Sequence, residues 1–268
     1  MNILFLTILN IKSFSERGIY TDLIKKFEDE GNTVFVVCPN ERREKKQPEL
    51  IKFKNSKILR VRTLNIQKTN LIEKGLATLA IEYQYLFAIK KYFKKTKFDI
   101  VIYTTPPITF TKVINFIKKR DKALSYLLLK DIFPQNAVDM NMIKKNGLLH
   151  NFFLKKEKNF YAASDYIGCL SQSNVDYLKT HNPDLDFNKL EINPNTINPI
   201  HINYSNSEKE LIKLKYQIPI DKKIFIFGGN LGKPQGLDFL LETIKKTFRS
   251  DVYFLIIGSG TEFIRIKE

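Results

Sequence analysis

The stretch Phe227–Glu242 reads FGGNLGKPQGLDFLLE and directly follows the apolar run Ile224-Phe225-Ile226. A strand runs into Gly228, Gly229, Asn230, Lys233, Gln235 and Gly236, and a helix then begins. Glycines let the backbone approach a ligand closely, and a helix amino end carries roughly half a positive charge. Such an end binds anions through its free N–H groups. Lys233 adds a full charge and Gln235 adds amide donors, so the chemistry on offer is binding of a phosphate or diphosphate. The spacing is neither GxxxxGK followed by Ser or Thr nor GxGxxG, which argues against a P-loop and a dinucleotide fingerprint. The plain alternative is a glycine-rich turn without a ligand. Gly258-Ser259-Gly260 forms a second glycine turn after the next apolar run, where ligands sit in open α/β sheets. Asp131 closes an apolar run further upstream. A carboxylate there could orient a hydroxyl or take its proton, or serve as an N-cap or structural carboxylate.

The elements that must position these residues alternate. Apolar runs at Ile3–Leu9, Thr33–Cys38, Ile58–Val61, Phe98–Tyr103, Ala123–Lys130, Tyr166–Leu170 and Leu190–Asn193 read as strands. Amphipathic stretches between them read as helices, including residues 72–97, 109–119, 147–163 and 174–180. Ser13-Phe-Ser-Glu16 has the form of a capping box ahead of the first helix, Gly18 fits either the first strand–helix turn or a packing glycine inside the helix, and Gly31 is its stop. Pro39 ends the second strand, and residues 40–57 read as a surface loop. Residues 196–222 read as a linker with one short helix. A new unit then opens with strand 224–228, helix 236–248, strand 252–257 and a helix starting at Glu262–Glu268. The expected fold class is therefore α/β with parallel sheets. One domain spans residues 1–200, and a second, covering residues 201–268, is too short to cover both faces of its sheet.

Lys and Arg number 44 and Asp and Glu 28, a net charge of +16. Such an excess speaks to partners, not fold. The lysines are spread along the chain and match no nucleic-acid module, so nucleic acid is not an expected partner. The two cysteines, Cys38 and Cys169, sit in apolar surroundings and read as buried thiols of a reducing compartment. His150, His181 and His201 show no metal spacing. The apolar start MNILFLTILNI is too short to span a bilayer and reads as a first buried strand. A cytoplasmic location, soluble or peripheral on the inner membrane face, is expected.

GGNLGKPQGLDFLLE resembles the loop that opens the second domain of GT4-type glycosyltransferases of the GT-B fold, in the branch that builds capsular and O-antigen polysaccharides. Thr104-Thr-Pro-Pro-Ile-Thr109, Leu129-Lys-Asp131-Ile-Phe-Pro134-Gln-Asn-Ala137, Ala163-Ser-Asp165-Tyr-Ile167 with Ser171, and Pro194-Asn195 resemble further segments of that branch, in the same order. The resemblance implies a GT-B-like chain: a complete Rossmann-like first domain on the acceptor side and the start of a nucleotide-sugar-binding second domain. It implies retaining transfer from a UDP-linked sugar, with no metal and no cofactor, in a cleft between the domains. Gly228, Gly229, Asn230, Lys233, Gln235 and Gly236 would hold the diphosphate, Gly258 and Ser259 the base or ribose, and Asp131 would act on the acceptor. The family's arginine and lysine at the loop are Asn230 and Gln235 here. Its Glu-x7-Glu pair lies past residue 268, so a truncated second domain is expected, either because the chain is cut short or because a partner chain carries the missing half; the alternative is a short second unit folded onto the first domain.

The implied acceptor is a lipid-linked saccharide at the cytoplasmic membrane surface. IEYQYLFAIKKYFKKTKF (Ile81–Phe98) and KKNGLLHNFFLKKEK (Lys144–Lys158) mix aromatic and basic residues and could hold the protein there. A helix packed on the sheet with a solvated lysine edge is the alternative. A competing function is a non-catalytic subunit that binds acceptor or membrane and needs a partner for donor binding.

Overall fold

The computed structural model describes residues 1–67 and 69–267. The chain divides into two compact units, Met1–Asn198 and Pro199–Glu268.

The first unit is built on one eight-stranded sheet. Its strands are β1 (Asn2–Leu6), β2 (Thr33–Glu41), β3 (Glu49–Lys52), β4 (Lys57–Thr63), β5 (Ile100–Thr104), β6 (Leu124–Leu129), β7 (Tyr166–Cys169) and β8 (Leu190–Ile192). Their spatial order is β3-β4-β2-β1-β5-β6-β7-β8. Every pairing is parallel except that of β3 with β4. Parallel strands need crossovers, and α1 (Ile19–Asp29), α2 (Leu71–Tyr92), α3 (Thr111–Asp121), a short α4 (Gln135–Asp139), α5 (Leu148–Ala163) and α6 (Gln172–His181) fill the intervals.

Side chains alternate across the sheet, and the two faces form two cores. Ile3, Phe5, Val34 and Val36 pack with Ile24 of α1 on one face. Leu4, Leu6, Phe35 and Val37 pack on the other with Ile81 and Tyr85 of α2, Ile117 of α3, Phe160 of α5 and Leu178 of α6. Phe35, Phe93 and Phe98 meet edge to face with ring centroids 5.3–5.9 Å apart. Buried hydroxyls on this face are partnered, as burial demands: Tyr85 donates to the Thr7 carbonyl at 2.8 Å and Tyr103 meets Ser164 Oγ at 2.6 Å. Cys38 and Cys169 are both buried.

Three local expectations are corrected. First, β2 does not stop at Pro39 but continues to Glu41. Its register with β1 ends at Val37, and beyond that point β2 pairs only with β4. Pro39 thus lies where one edge of the strand is free, and its missing N–H costs nothing. Second, residues 40–57 are not all loop: Glu49–Lys52 folds back as the antiparallel edge strand β3. Third, Ser13 and Glu16 cap no helix. Ser13 Oγ instead accepts from Ser15 N at 3.1 Å in a turn, α1 starts at Ile19, and Gly18 is its N-cap instead of an interior packing residue.

The second unit contains α7 (Asn206–Lys215), β9 (Lys223–Asn230), α8 (Leu237–Lys245), β10 (Val252–Ser259) and α9 (Phe263–Lys267). A capping box between Ser205 and Glu208 starts α7 inside the stretch expected to be a linker with a short helix. β9 and β10 pair in parallel, from Val252↔Lys223 to Ser259↔Asn230. Leu231 and Leu237 are its buried apolar side chains among the described residues. Phe225, Ile226, Phe239, Phe248, Ile257 and Ile264 are exposed. Of the helix expected at Glu262–Glu268, α9 supplies Phe263–Lys267, and Glu268 lies outside the described residues.

Candidate functional site

In the first unit the sheet order reverses between β1 and β5, because β1 is followed on one side by β2 and on the other by β5. The crevice beyond the carboxyl ends of strands at such a switch point is where open α/β sheets bind ligands. Thr104 and Thr105 end β5 there, Lys130 and Asp131 follow β6, and Gly18 and Tyr20 mark the amino end of α1. Thr105 Oγ1 accepts from the backbone N–H of Lys130 at 2.8 Å and of Asp131 at 3.1 Å, which pins the turn after β6. Phe133 anchors the same turn from its far side, 5.0 Å from Phe153 of α5. Asp131 caps no helix, since the N-cap of α4 is Pro134.

Burial shifts three titratable groups of this crevice. Desolvation raises the Asp131 carboxyl above its ordinary pKa although the side chain reaches solvent. Desolvation likewise lowers the Lys130 ammonium. The Tyr20 phenol is raised, chiefly by burial; a hydrogen bond with Thr104 opposes that and the negative charge of Asp131 adds to it. An acid, a phenol and an amine with shifted proton affinities around one strand-end crevice are what general acid–base chemistry uses. A cavity of about 370 Å³ runs between α1 and the sheet, lined by Ile3, Tyr20, Phe27, Ile100, Leu128 and Lys130 among others; it reaches the crevice at Tyr20 and Lys130, and Asp131 is not in its lining.

In the second unit the ladder brings together residues far apart in sequence. Gly258 lies opposite Gly229 and Ser259 opposite Asn230. A Cβ on Gly258 would stand 2.1 Å from the Gly229 carbonyl oxygen, so the two strand ends approach more closely than any side chain permits. Leu231 N donates to the Ser259 carbonyl at 2.9 Å, and the buried Leu231 side chain fixes the turn. Lys233–Gln235 form one 3₁₀ turn, and Gly236 at φ +62° joins it to α8. That left-handed conformation favours glycine. No side chain caps the amino end of α8. Gly228, Gly229, Asn230, Lys233, Gln235, Gly236, Gly258 and Ser259 therefore all border the carboxyl edge of the β9–β10 pair. Lys233 and Gln235 are exposed.

Asp131 belongs to the first unit and the glycine turns to the second. Sequence reasoning missed Tyr20, Thr105 and Lys130. Thr105 carries a signal in the Thr-Thr-Pro-Pro turn and Lys130 in the Leu129–Ala137 segment, whereas Tyr20 is marked only by its three-dimensional neighbours. Among the described residues, no group of three His, Cys, Asp or Glu side chains is placed to hold a metal ion.

No protein-family model matches the chain. Over 209 residues it is 23% identical to a protein named "Probable glycosyltransferase WbjE" from Pseudomonas aeruginosa, a match over 75% of this chain and 49% of that protein. It superposes on sucrose-phosphate synthase from Thermosynechococcus elongatus with a TM-score of 0.69 at 12% identity, covering 99% of this chain and 66% of the synthase. It superposes on Anabaena HepE in complex with UDP and glucose with a TM-score of 0.59 at 12% identity, covering 99% of this chain and 63% of HepE. The fold is thus that of the GT-B glycosyltransferases, and the chain spans about half the length of WbjE and about two thirds of these solved structures.

Proposed function

We propose that the chain carries the acceptor-side domain and the opening of the donor-side domain of a glycosyltransferase. The observation that carries this reading is the register that sets Gly228–Asn230 against Gly258–Ser259, with the uncapped amino end of α8 directly after them. Backbone N–H groups, Lys233 and the helix dipole suit a diphosphate, and the open space around Gly228, Gly229 and Gly236, where an added Cβ meets nothing within 4 Å, suits its close approach. The likeness in fold to HepE, whose structure contains UDP and glucose, supports a UDP-linked donor.

In the proposed reaction the sugar C1–O bond to the diphosphate breaks and a C1–O bond to an acceptor hydroxyl forms, with retention. Lys233 and the α8 amino end stabilise charge growing on the leaving diphosphate. Asp131 orients the acceptor hydroxyl and takes its proton, and desolvation, which raises its proton affinity, makes it the stronger base. The acceptor is a lipid-linked saccharide in surface polysaccharide synthesis. Both the pathway and the acceptor rest on the polysaccharide-branch motifs.

A second reading is favoured by one observation, the exposed apolar face of the second unit. On that reading the chain binds acceptor and a partner chain completes donor binding. The test is release of UDP from UDP-sugars in the presence of a lipid-linked saccharide, for the wild type and Asp131→Asn. Transfer by the wild type, reduced roughly 100-fold in the variant with UDP affinity unchanged, supports the enzyme. Absence of both UDP binding and turnover in the chain alone supports the subunit.

A further inference from the structure

The carboxyl edge of the sheet that carries the Asp131 turn continues past the switch point to the ends of β2 and β4. There the loops after β2 and β4 and the first turns of α2 enclose an open cup of about 990 Å³. The loop after β2 contributes Arg42, Arg43 and Lys45, all exposed. Leu64 and Leu76 give the cup an apolar surface, and Asn65, Asn70 and Glu73 complete it.

Its walls are fixed by their own hydrogen bonds. Glu41, buried at the end of β2, accepts from the backbone N–H of Ile66 at 3.2 Å and of Gln67 at 2.9 Å. Arg43 bonds the Glu41 carboxylate and the Gln67 carbonyl, and its backbone N–H donates to Asn65 Oδ1 at 3.1 Å. Asn65 in turn donates to Glu73 at 2.8 Å. The two loops and α2 are thus stapled together before a ligand arrives, which spares it the cost of ordering them. The same bonds occupy the nearby acids. Thr69 first, then Asn65 and the charge of Arg42, hold the Glu73 carboxyl below the usual carboxylate range against desolvation. Glu44 accepts from Asn10 Nδ2 at 2.8 Å.

Arg42 and Lys45 are left over. Their side chains make no hydrogen bond or ion pair among the described residues. Asn70 spends its side-chain oxygen on the Glu73 N–H at 2.8 Å and keeps its amide donors. A guanidinium fork pairs with a planar carboxylate through two parallel bonds, and an ammonium adds a second charge. Amide donors suit sugar hydroxyls, and the leucines suit the C–H face of a sugar ring. The cup also lies in line with the crevice. β2 and β6 are three strand spacings apart, about 15 Å, which an oligosaccharide spans. Between them Gln67 donates to the Ile8 carbonyl at 3.4 Å, joining the loop after β4 to the loop after β1.

We propose that the cup is an acceptor subsite for an acidic sugar, a uronate whose carboxylate pairs with Arg42 and Lys45. The acceptor glycan then runs along the carboxyl edge, with its reacting hydroxyl at Asp131 and its acidic residue in the cup. This names the acceptor's chemistry and rests on the reading of the Asp131 crevice as the acceptor site.

The test is an NMR titration of the whole chain with trigalacturonate and with its methyl ester, which keeps the sugars and removes the charge. Trigalacturonate should bind roughly tenfold more tightly than the ester or better, with the largest amide shifts at Arg43, Asn65 and Glu73. Arg42→Gln/Lys45→Gln should erase that preference. Lys94→Gln/Lys95→Gln removes the same charge from exposed lysines ahead of β5, at the opposite edge of the sheet, and should keep it. Equal affinity for acid and ester, or no binding of either, overturns the proposal. So does an equal loss in both variants, which leaves only the general attraction of a chain with a net charge of +16. Tighter binding of galactosyl phosphate than of trigalacturonate, lost in Arg42→Gln/Lys45→Gln, overturns it in favour of a phosphate site. UDP titrated into the same samples separates the two readings. UDP binding without a preference for the acid removes the subsite alone, whereas binding of neither UDP nor saccharide removes the glycosyltransferase reading with it.

Discussion

Strands β1 and β9 are the first strands of the two units, and both are apolar runs of similar sequence quality: Asn-Ile-Leu-Phe-Leu in one, Lys-Ile-Phe-Ile-Phe in the other. The first is buried from its second residue onward because helices cover both faces of its sheet. The second leaves Phe225 and Ile226 in solvent because a two-stranded sheet offers neighbours on few sides. Hydrophobic sequence is thus a capacity for burial, which is realised only when other elements supply a partner surface. The same contrast divides the candidate site. The Asp131 crevice inherits the rigidity of an eight-stranded core, whereas the glycine turns hang on one ladder and two buried leucines.

Substituting one residue type in both units sharpens this contrast. Phe98→Ala removes a fully buried ring from the Phe35–Phe93–Phe98 cluster and should cost about 3–5 kcal/mol of first-unit stability in denaturant unfolding. Phe239, 77% exposed on α8, forms the other half of the pair and gives the smallest effect: Phe239→Ala should change stability by less than about 0.5 kcal/mol. Equal costs would mean that the second unit has a core of its own.

Next in size is a pH effect confined to the first unit. Burial pushes the Glu157 carboxyl up to about 7 from an ordinary 4.5, although the Tyr161 hydroxyl donates to it at 2.8 Å. Between those two values the native state keeps a proton that the unfolded chain has lost, so stability falls as pH rises through that window. Above about pH 7 the full cost, up to about 3 kcal/mol, is in place. Glu157→Gln, which still accepts from Tyr161, should raise first-unit stability at pH 8 by up to that amount and change it little at pH 4. An unaltered pH profile would contradict the assignment. In the second unit, Gly258→Ala forces a methyl against the Gly229 carbonyl and should cost at least about 2 kcal/mol. Hydrogen exchange should then show β9 and β10 amides losing protection while β1 and β5 amides keep theirs. Loss in both units would break the comparison.

The parallel α/β order of the first unit could be read from its apolar runs, because buried parallel strands are almost continuously hydrophobic. β3 could not, since Glu49-Leu-Ile-Lys52 is four residues long and charged at both ends, the ordinary look of a loop. The start of α1 was misread because Ser13 and Glu16 have capping-box spacing, while the chain satisfies Ser13 within its own turn. The glycine turns were visible because backbone approach demands glycine at particular positions. Tyr20 was not, because only the fold brings an α1 side chain to the end of β6.

Donor binding depends most heavily on the Gly228–Gly236 turn as a diphosphate site. Calorimetric titration of UDP into the chain, with Lys233→Ala and Asp131→Asn alongside, tests it directly. Saturable binding by the wild type is predicted, weakened roughly tenfold or more in Lys233→Ala through loss of a charge-assisted contact and unchanged in Asp131→Asn. Absence of binding, or equal affinity in Lys233→Ala, would contradict the donor-site assignment.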